Sequence, residues 1–372
     1  MKIILAPDSY KGSATAVQVV SSMKKAIEDI SLTDIIVEKP MADGGEGTVD
    51  ALLTSVGGEK IQISCTGPLG EKIETYYAIT EDNTAVIEVA NIAGLVQVPL
   101  PLRNINHTTT YGVGEVLLNA IDKGCNRIII GLGGSATNDG GLGMLQALGI
   151  RVWDEKGDSL SIYGKDLLSI AKVDESGLDK RLKDIDIIIA SDVENPLCGR
   201  EGASFIYGLQ KGATKEEILS YDNALANFIE LLSCSNELSQ KKGAGAAGGL
   251  GFALLYLGGK MESGAKLVGE ISRLEEAIRD ADLIITGEGQ SDEQTLYGKA
   301  PGYVANLGVK YEVPTILISG SIGRNADALR NVFLGCFSII NRPLTLEECI
   351  EQVDYLIMQQ TKNIIHLVKG LQ

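Results

Sequence analysis

Residues 283–292 read LIITGEGQSD, in which a short apolar run leads into a polar turn that contains two glycines. This arrangement is typical of a buried strand in a parallel sheet, with the loop to the next helix at the carboxyl end of the strand. Six other apolar runs share it, and they cover residues 2–6, 35–37, 128–130, 187–190, 316–318 and 337–340. The repeated arrangement predicts an α/β protein built on parallel sheets.

Residues 60–97 break this pattern, because apolar and polar residues alternate there as they do in antiparallel strands with one buried face. We therefore predict two domains, which suits a length of 372 residues. One is an open, doubly wound, mostly parallel sheet, and it is interrupted by an inserted mixed α/β domain. The strands near residues 3, 36, 284, 317 and 339 are assigned to the first domain. The predicted bounds are 1–63 with 265–372 for the first domain and 64–264 for the insertion.

Charge and cysteine content narrow the class of protein. The chain has 33 lysines and arginines against 49 acidic residues, and a net charge of −16 repels a nucleic-acid backbone or an anionic bilayer. Its six cysteines are dispersed without a CxxC pair, as in reduced cytosolic proteins. No signal-peptide or membrane-spanning apolar run occurs. We predict a cytoplasmic protein with no nucleic-acid or membrane partner.

The 44 glycines are more than a chain of this length usually has, and many fall in the loops that follow the predicted strands. In such loops, glycines let backbone N–H groups approach an anion, and the helix dipole adds partial positive charge. Acidic side chains in the same loops suit Mg²⁺. Each acid could instead cap a helix, but their recurrence beside glycine favours a role in phosphoryl transfer.

Two glycine motifs leave other functions open. Residues 131–136, GLGGSA, match a relaxed dinucleotide-binding pattern after a strand, and residues 243–248 match G-x-G-x-x-G without a preceding strand. An NAD-dependent hydroxy-acid oxidoreductase is therefore one alternative, although the ribose-binding acid is missing. A non-catalytic sugar-acid-binding protein is another. The chain has no G-x-x-x-x-G-K-[ST], which excludes a P-loop kinase.

Eight motifs in these loops carry a family resemblance, and they are residues 6–13, 42–48, 66–70, 133–141, 191–197, 210–213, 243–249 and 285–289. On these motifs the sequence resembles the type I glycerate kinases over nearly the whole chain. The resemblance implies a flavodoxin-like domain with an inserted domain. It also implies ATP-dependent phosphorylation of D-glycerate in the cleft between the two. It favours 2-phosphoglycerate as product, with 3-phosphoglycerate as the alternative. Tyr10 and Leu209 depart from the family pattern, where phenylalanine and proline are expected.

The individual roles are hypotheses from the chemistry that a kinase needs, chiefly placement and charge neutralisation. Asp192 is expected to orient or deprotonate the glycerate hydroxyl, with Asp43 and Asp8 as alternatives. Lys11 is expected to bind phosphate or the glycerate carboxylate. Glu288 and Asp292 are the predicted Mg²⁺ ligands. The other predicted substrate or phosphate contacts are Asp8, Ser9, Gly44, Gly133, Gly134, Ser135, Asn138, Asp139, Asn195, Lys211, Thr286, Gly287 and Lys299.

Overall fold

The structure, a computed structural model, describes residues 1–233, 236–324 and 326–371. Its strands are β1 (Lys2–Leu5), β2 (Ile35–Glu38), β3 (Glu59–Thr66), β4 (Lys72–Ile79), β5 (Thr84–Glu88), β6 (Arg127–Gly131), β7 (Arg151–Trp153), β8 (Lys172–Asp174), β9 (Asp186–Ala190), β10 (Lys260–Glu262), β11 (Leu283–Ser291), β12 (Thr315–Ile322) and β13 (Gly335–Ser338). Its α-helices are α1 (Ala16–Glu28), α2 (Thr48–Val56), α3 (Ala90–Ala93), α4 (Tyr111–Asp122), α5 (Leu142–Ala147), α6 (Ala203–Tyr207), α7 (Lys215–Leu231), α8 (Leu250–Tyr256), α9 (Gly264–Ile271), α10 (Leu274–Ile278), α11 (Ala300–Lys310), α12 (Leu346–Glu351) and α13 (Val353–Gly370).

The chain forms two compact units. The first unit contains Met1–Asp43, Asp50–Gly57 and the described residues from Ser263 onward, and the second contains Gly44–Val49 and Gly58–Glu262. Residues 58–63, which are predicted to end the first domain, belong instead to the second unit, as do residues 44–49. The reason for residues 58–63 is that β3 pairs antiparallel with β4 over eight consecutive residues and so belongs to that sheet.

The first unit is built on a five-stranded sheet with the order β13-β12-β11-β1-β2, in which every pairing is parallel. This is the flavodoxin-like order, and it confirms the predicted doubly wound α/β fold. The fifth strand lies at Gly335–Ser338, two residues before the predicted run. The order reverses between β1 and β11. The loops that follow these two strands therefore leave toward opposite sides and open a crevice at the carboxyl edge of the sheet.

Helix α1 shows how the sequence packs onto this sheet. Thr15 and Gln18 form a capping box that fixes the start of the helix. The buried side chains of α1 include Val19, Met23 and Ile27, at the spacing of one helical face, and they belong to the core that β1 and β11 share. Burying such side chains contributes roughly 1.5–3 kcal/mol each.

The second unit has a six-stranded sheet with the order β10-β9-β6-β5-β4-β3 and a separate two-stranded sheet of β7 and β8. β5, β6, β9 and β10 pair parallel, whereas β3, β4 and β5 pair antiparallel. The alternating pattern predicted antiparallel strands as far as residue 97, but the chain turns into α3 and a short 3-10 helix after residue 89.

None of the described helices has the length and apolar character to span a membrane. The cysteines at positions 65, 125, 198, 336 and 349 are free thiols, and Cys234 lies outside the described residues.

Candidate functional site

A cavity of about 680 Å³ lies in the first unit, lined mainly by the carboxyl-terminal ends of β11 and β12 and by residues that follow β1, β2 and β13. This is where a doubly wound sheet binds its ligands, because the loops diverge at the switch between β1 and β11. Its polar and charged lining residues are Asp8, Ser9, Lys11, Ser13, Asp43, Glu288, Gln290, Lys299 and Ser321. Six of the predicted site residues are therefore brought together in one cavity.

Asp8 is a buried carboxyl group at the end of β1. Its backbone N–H donates to the carbonyl of Gly287 at 2.8 Å, and its side chain accepts the N–H of Ser9 at 2.6 Å. Only 7% of Asp8 is exposed. Burial, together with repulsion from Asp43, raises the pKa of Asp8 to about 7, although the Ser9 N–H and the charge of Lys11 oppose the shift.

Tyr10 fixes the loop that carries Lys11. Its backbone N–H donates to the carbonyl of Ala14, and its buried hydroxyl donates to the carbonyl of Ile318 at 2.7 Å. The hydroxyl that phenylalanine would lack therefore ties the loop to β12. Lys11 extends from this loop and forms an ion pair with Asp43, with Nζ 2.8 Å from Oδ2.

Glu288 lies near the end of β11 and uses its two carboxylate oxygens differently. Oε1 accepts hydrogen bonds from the hydroxyls of Ser291 at 3.0 Å and Thr295 at 2.6 Å. Oε2 lies 3.6 Å from Nζ of Lys299. Both Glu288 and Lys299 line the cavity. One oxygen is thus held by hydroxyl groups while the other lies beside a cation.

Asp292, predicted with Glu288 as a metal ligand, has a local structural role. Its Oδ1 accepts the N–H of Gln294 at 2.8 Å and caps the 3-10 helix Glu293–Leu296. It is not among the residues that line the cavity. Glu288 is the member of the predicted pair that the structure places there.

Thr286 and Gly287 lie within β11 and face neighbouring strands. The Thr286 hydroxyl donates to the carbonyl of Ala6 at 2.7 Å in the sheet interior. A Cβ on Gly287 would lie 1.8 Å from the carbonyl oxygen of Ile318, so this position requires glycine for close strand packing. The structure gives both residues a packing role beside the cavity.

In the second unit, two predicted ligand contacts, Lys211 and Ser135, lie together in the interior. Nζ of Lys211 donates to the Ser135 hydroxyl at 3.0 Å and to the Thr137 carbonyl at 2.7 Å. Burial lowers the pKa of Lys211 to about 7. The Asn138 amide donates to the Ser204 hydroxyl at 2.9 Å, while its Oδ1 is buried without a partner among the described residues. This group of polar residues supports the loop after β6 from within.

Asp139 is fully buried beneath the same loop. Its carboxylate accepts hydrogen bonds from both the backbone N–H and the hydroxyl of Thr110 and from the N–H groups of Gly141 and Gly143. Burial raises the pKa of Asp139, whereas these donors lower it. The observed partners of Asp139 are therefore the amino-terminal ends of α4 and α5.

Two of the glycines predicted to contact phosphate in this unit pack closely against neighbouring backbone. A Cβ on Gly133 would lie 2.5 Å from Cα of Gly45, and one on Gly44 would lie 2.7 Å from the carbonyl oxygen of Ala190. Gly44 and Gly134 also have positive φ values, which favour glycine. Close backbone packing accounts for Gly133 and Gly44, and the positive φ accounts for Gly134.

Asp192 and Asn195 follow β9 in the second unit. Asp192 is exposed. The Asn195 amide donates to the carbonyl of Glu201 at 2.8 Å and accepts the hydroxyl of Tyr207 at 2.7 Å. Asn195 thus holds its own loop in place, and the catalytic role of Asp192 stays a prediction.

One wall of the first unit's cavity contains none of the predicted site residues. It is apolar and consists of Ile339, Ile340, Leu344, Leu346, Cys349, Ile350 and Val353. The sequence signal for part of this wall is the pair Ile339 and Ile340, which extends the predicted apolar run two residues beyond the end of β13.

Asp8→Asn should stabilise the first unit at pH 8 when no ligand is present. The folded pKa of about 7 lies above the ordinary value of 3.8, so the cost of the charged carboxylate is present above about pH 7 and is lost as the pH falls. We expect a gain of a few kcal/mol at most at pH 8 and a smaller gain at pH 5.5. Differential scanning calorimetry in EDTA measures both.

Asp280→Asn is the control for this measurement and should have the opposite sign. The hydrogen bond from Lys2 lowers the pKa of Asp280, so the exposed carboxylate is favourable at pH 8 and its loss cannot stabilise the unit. Equal gains for Asp8→Asn at both pH values would contradict the raised pKa of Asp8.

Comparisons with known proteins agree with these observations. The chain matches the model of the Glycerate kinase family over residues 3–369. It is 42% identical over 369 residues to the Glycerate 2-kinase of Escherichia coli (strain K12), with 98% of this chain and 97% of that protein covered. It is 43% identical over 371 residues to a Glycerate kinase of Bacillus cereus, with 98% and 97% covered.

A solved structure, described as a glycerate kinase 2 from Salmonella typhimurium LT2, superposes with a TM-score of 0.88 at 41% identity. The superposition covers 100% of this chain and 98% of the other. The family match over almost the whole chain, together with these relatives, shows that the chain belongs to the glycerate kinase family and is a kinase.

Proposed function

We propose that this kinase transfers a phosphoryl group from ATP to D-glycerate and forms 2-phosphoglycerate. The observation that carries the proposal is the cavity at the strand switch, where Lys11 and Lys299 lie with the carboxylates of Asp8, Asp43 and Glu288. Phosphoryl transfer depends on placing the reactants and neutralising charge, and this set of groups can do both. The name of the Escherichia coli relative, Glycerate 2-kinase, supports the 2-phosphate over the 3-phosphate.

Each cation of the cavity has a proposed partner. Lys11 and Lys299 would bind the phosphate oxygens. Each ammonium group lies beside a carboxylate, and its side chain can turn partly away from that carboxylate toward a phosphate. Asp8 would accept a hydrogen bond from the glycerate hydroxyl and orient it, because its carboxyl group is buried, fixed by Ser9 and part of the cavity lining. The negative charge of Asp43 would balance the positive charge of Lys11. Asp192 remains a second candidate for orienting the glycerate hydroxyl.

Glu288 is the carboxylate that fits Mg²⁺ best. Its Oε1 is held by two hydroxyls, which leaves Oε2 beside Lys299 in the cavity. No group of three or more histidine, cysteine or acidic residues among the described residues is arranged to hold a metal, so the other ligands would be phosphate oxygens and water. When bound, Mg²⁺ supplies charge neutralisation on the phosphates.

The kinase assignment is favoured over both alternative functions. A nicotinamide-dependent oxidoreductase would need the GLGGSA loop for its dinucleotide, but Gly133 in that loop packs against Gly45. A non-catalytic sugar-acid-binding protein does not agree with membership in a kinase family. The free thiols suit the cytoplasm, which stays the proposed location.

Phosphorus-31 NMR tests the proposal directly. Purified protein with ATP, MgCl₂ and D-glycerate should yield ADP and 2-phosphoglycerate in equal amounts, and EDTA should lower the rate at least about 100-fold. L-glycerate is the matched substrate control. Accumulation of 3-phosphoglycerate would overturn the position of transfer alone, and failure to consume ATP would overturn the proposed function.

A further inference from the structure

The cavity of the first unit has two chemically different ends. The charged end contains Lys11 and Lys299 with the acidic residues described above. The apolar end begins after β13 and continues through α12. An exposed apolar wall that adjoins charged groups costs free energy in water unless a ligand with a matching apolar part covers it.

Part of the apolar wall is exposed, and the first turn of its helix is capped. Leu346 is 73% exposed, and Ile340 and Ile350 are each about 40% exposed. Leu346 and Ile350 are four residues apart, which places them on one face of α12. A capping box between Thr345 and Glu348 fixes the first turn of this helix. The capping box thus fixes the turn of α12 that carries Leu346.

Size also separates the candidate ligands. Glycerate is a three-carbon acid that has no apolar ring and would fill a small part of about 680 Å³. A nucleoside triphosphate is several times larger and combines a flat, largely apolar base with a polyanionic chain. Such a ligand matches an apolar wall at one end and two lysines at the other.

We propose that the apolar wall formed by Ile340, Leu346, Cys349 and Ile350 binds the base of the nucleotide, with the phosphates directed toward Lys11 and Lys299. The switch point of a doubly wound sheet is where such folds place nucleotide-like ligands. The inference rests on the proposed use of ATP, and it assigns the donor site to the first unit.

The first test removes apolar surface without changing charge. Leu346→Asn should raise the Kd of ADP about tenfold and the KM of ATP to a similar extent, whereas the KM of D-glycerate changes less than twofold. The matched control is Leu334→Asn, because Leu334 is 70% exposed in the same unit but does not line the cavity. It should leave all three constants within twofold of the wild type.

Binding of pyrophosphate distinguishes the contribution of the base from that of the phosphates. It carries the charge of ADP but no base, so Leu346→Asn should leave its Kd unchanged while ADP binding weakens, as measured by calorimetry. An equal loss for pyrophosphate and ADP would overturn the assignment of the wall to the base. Unchanged ADP binding in Leu346→Asn would overturn it as well.

Cys349 gives a second measurement on the unmodified protein. Its thiol lines the cavity, whereas that of Cys336 in the same unit does not, and both residues are partly exposed. ADP should slow alkylation of Cys349 at least fivefold without affecting Cys336, and pyrophosphate should protect neither. Equal labelling of Cys349 with and without saturating ADP would contradict the inference.

These results are distinguishable from failure of the proposed function. If the wild type makes phosphoglycerate from ATP but Leu346→Asn binds ADP normally, the base site is wrong and the function stands. If ADP protects Cys349 but no phosphoglycerate forms, the nucleotide site stands and the function fails.

Discussion

Lys11→Met is expected to lower kcat/KM for D-glycerate phosphorylation by about 100- to 1000-fold. Removing one charged donor from a site that stabilises transferring negative charge commonly costs this much. Methionine keeps the length and apolar stem of lysine, so the change removes the charge and little packing. Lys11 lies in the cavity with 74% of its side chain exposed, where its ammonium group can reach a phosphate.

The loss should fall on catalysis and leave stability nearly unchanged. The ion pair of Lys11 with Asp43 is largely exposed, and pairs of this kind contribute about 0–1 kcal/mol. Lys310→Met is the matched control, because Lys310 also pairs with a carboxylate, Glu275, at 2.6 Å in the same unit but lies outside the cavity. In steady-state kinetics, the kcat/KM of Lys310→Met should lie within twofold of the wild-type value. A kcat/KM of Lys11→Met within threefold of the wild-type value would refute the role of Lys11.

The first unit could be predicted largely from the sequence, because buried parallel strands are short apolar runs with polar turns at their ends. The exception is instructive. Three of the four residues from 337 to 340 are apolar, yet β13 ends at Ser338. Ile339 and Ile340 continue into the cavity lining. An apolar residue is expected to be shielded from water. Its hydrophobicity does not show whether a sheet core or a bound ligand provides the shielding.

Site residues were predictable where the fold itself brings strand ends together. Asp8, Lys11, Glu288 and Lys299 meet because β1 and β11 are neighbours, which follows from the sheet order. The loop after β6 has the same mixture of glycine and acid, but Asp139 is buried there. Its burial depends on packing against segments distant in sequence, and motif spacing holds no information about that.

Asp139→Ala is expected to destabilise the second unit by at least about 4 kcal/mol, which is a large part of the whole stability of many domains. The reason is that four donors, two from Thr110 and one each from Gly141 and Gly143, would lose their acceptor in a site with no exposed surface. Each buried donor left unsatisfied costs about 1–3 kcal/mol. The loss should also separate the amino-terminal ends of α4 and α5, which the carboxylate holds together.

The fluorescence of Trp153 reports on this variant specifically, because the only tryptophan of the chain lies in β7 of the second unit. Urea unfolding followed at this residue should show a large shift for Asp139→Ala. Asp174→Ala should shift the midpoint little, since its partners Arg151 and Ser176 are accessible to water when the carboxylate is removed. The opposite result would be a free energy of unfolding of Asp139→Ala within about 1 kcal/mol of the wild type, together with a loss of activity. The carboxylate would then act on a ligand, as the strand-end pattern predicts. If both stability and activity fall together and added substrate does not restore them, Asp139 supports the loop from within.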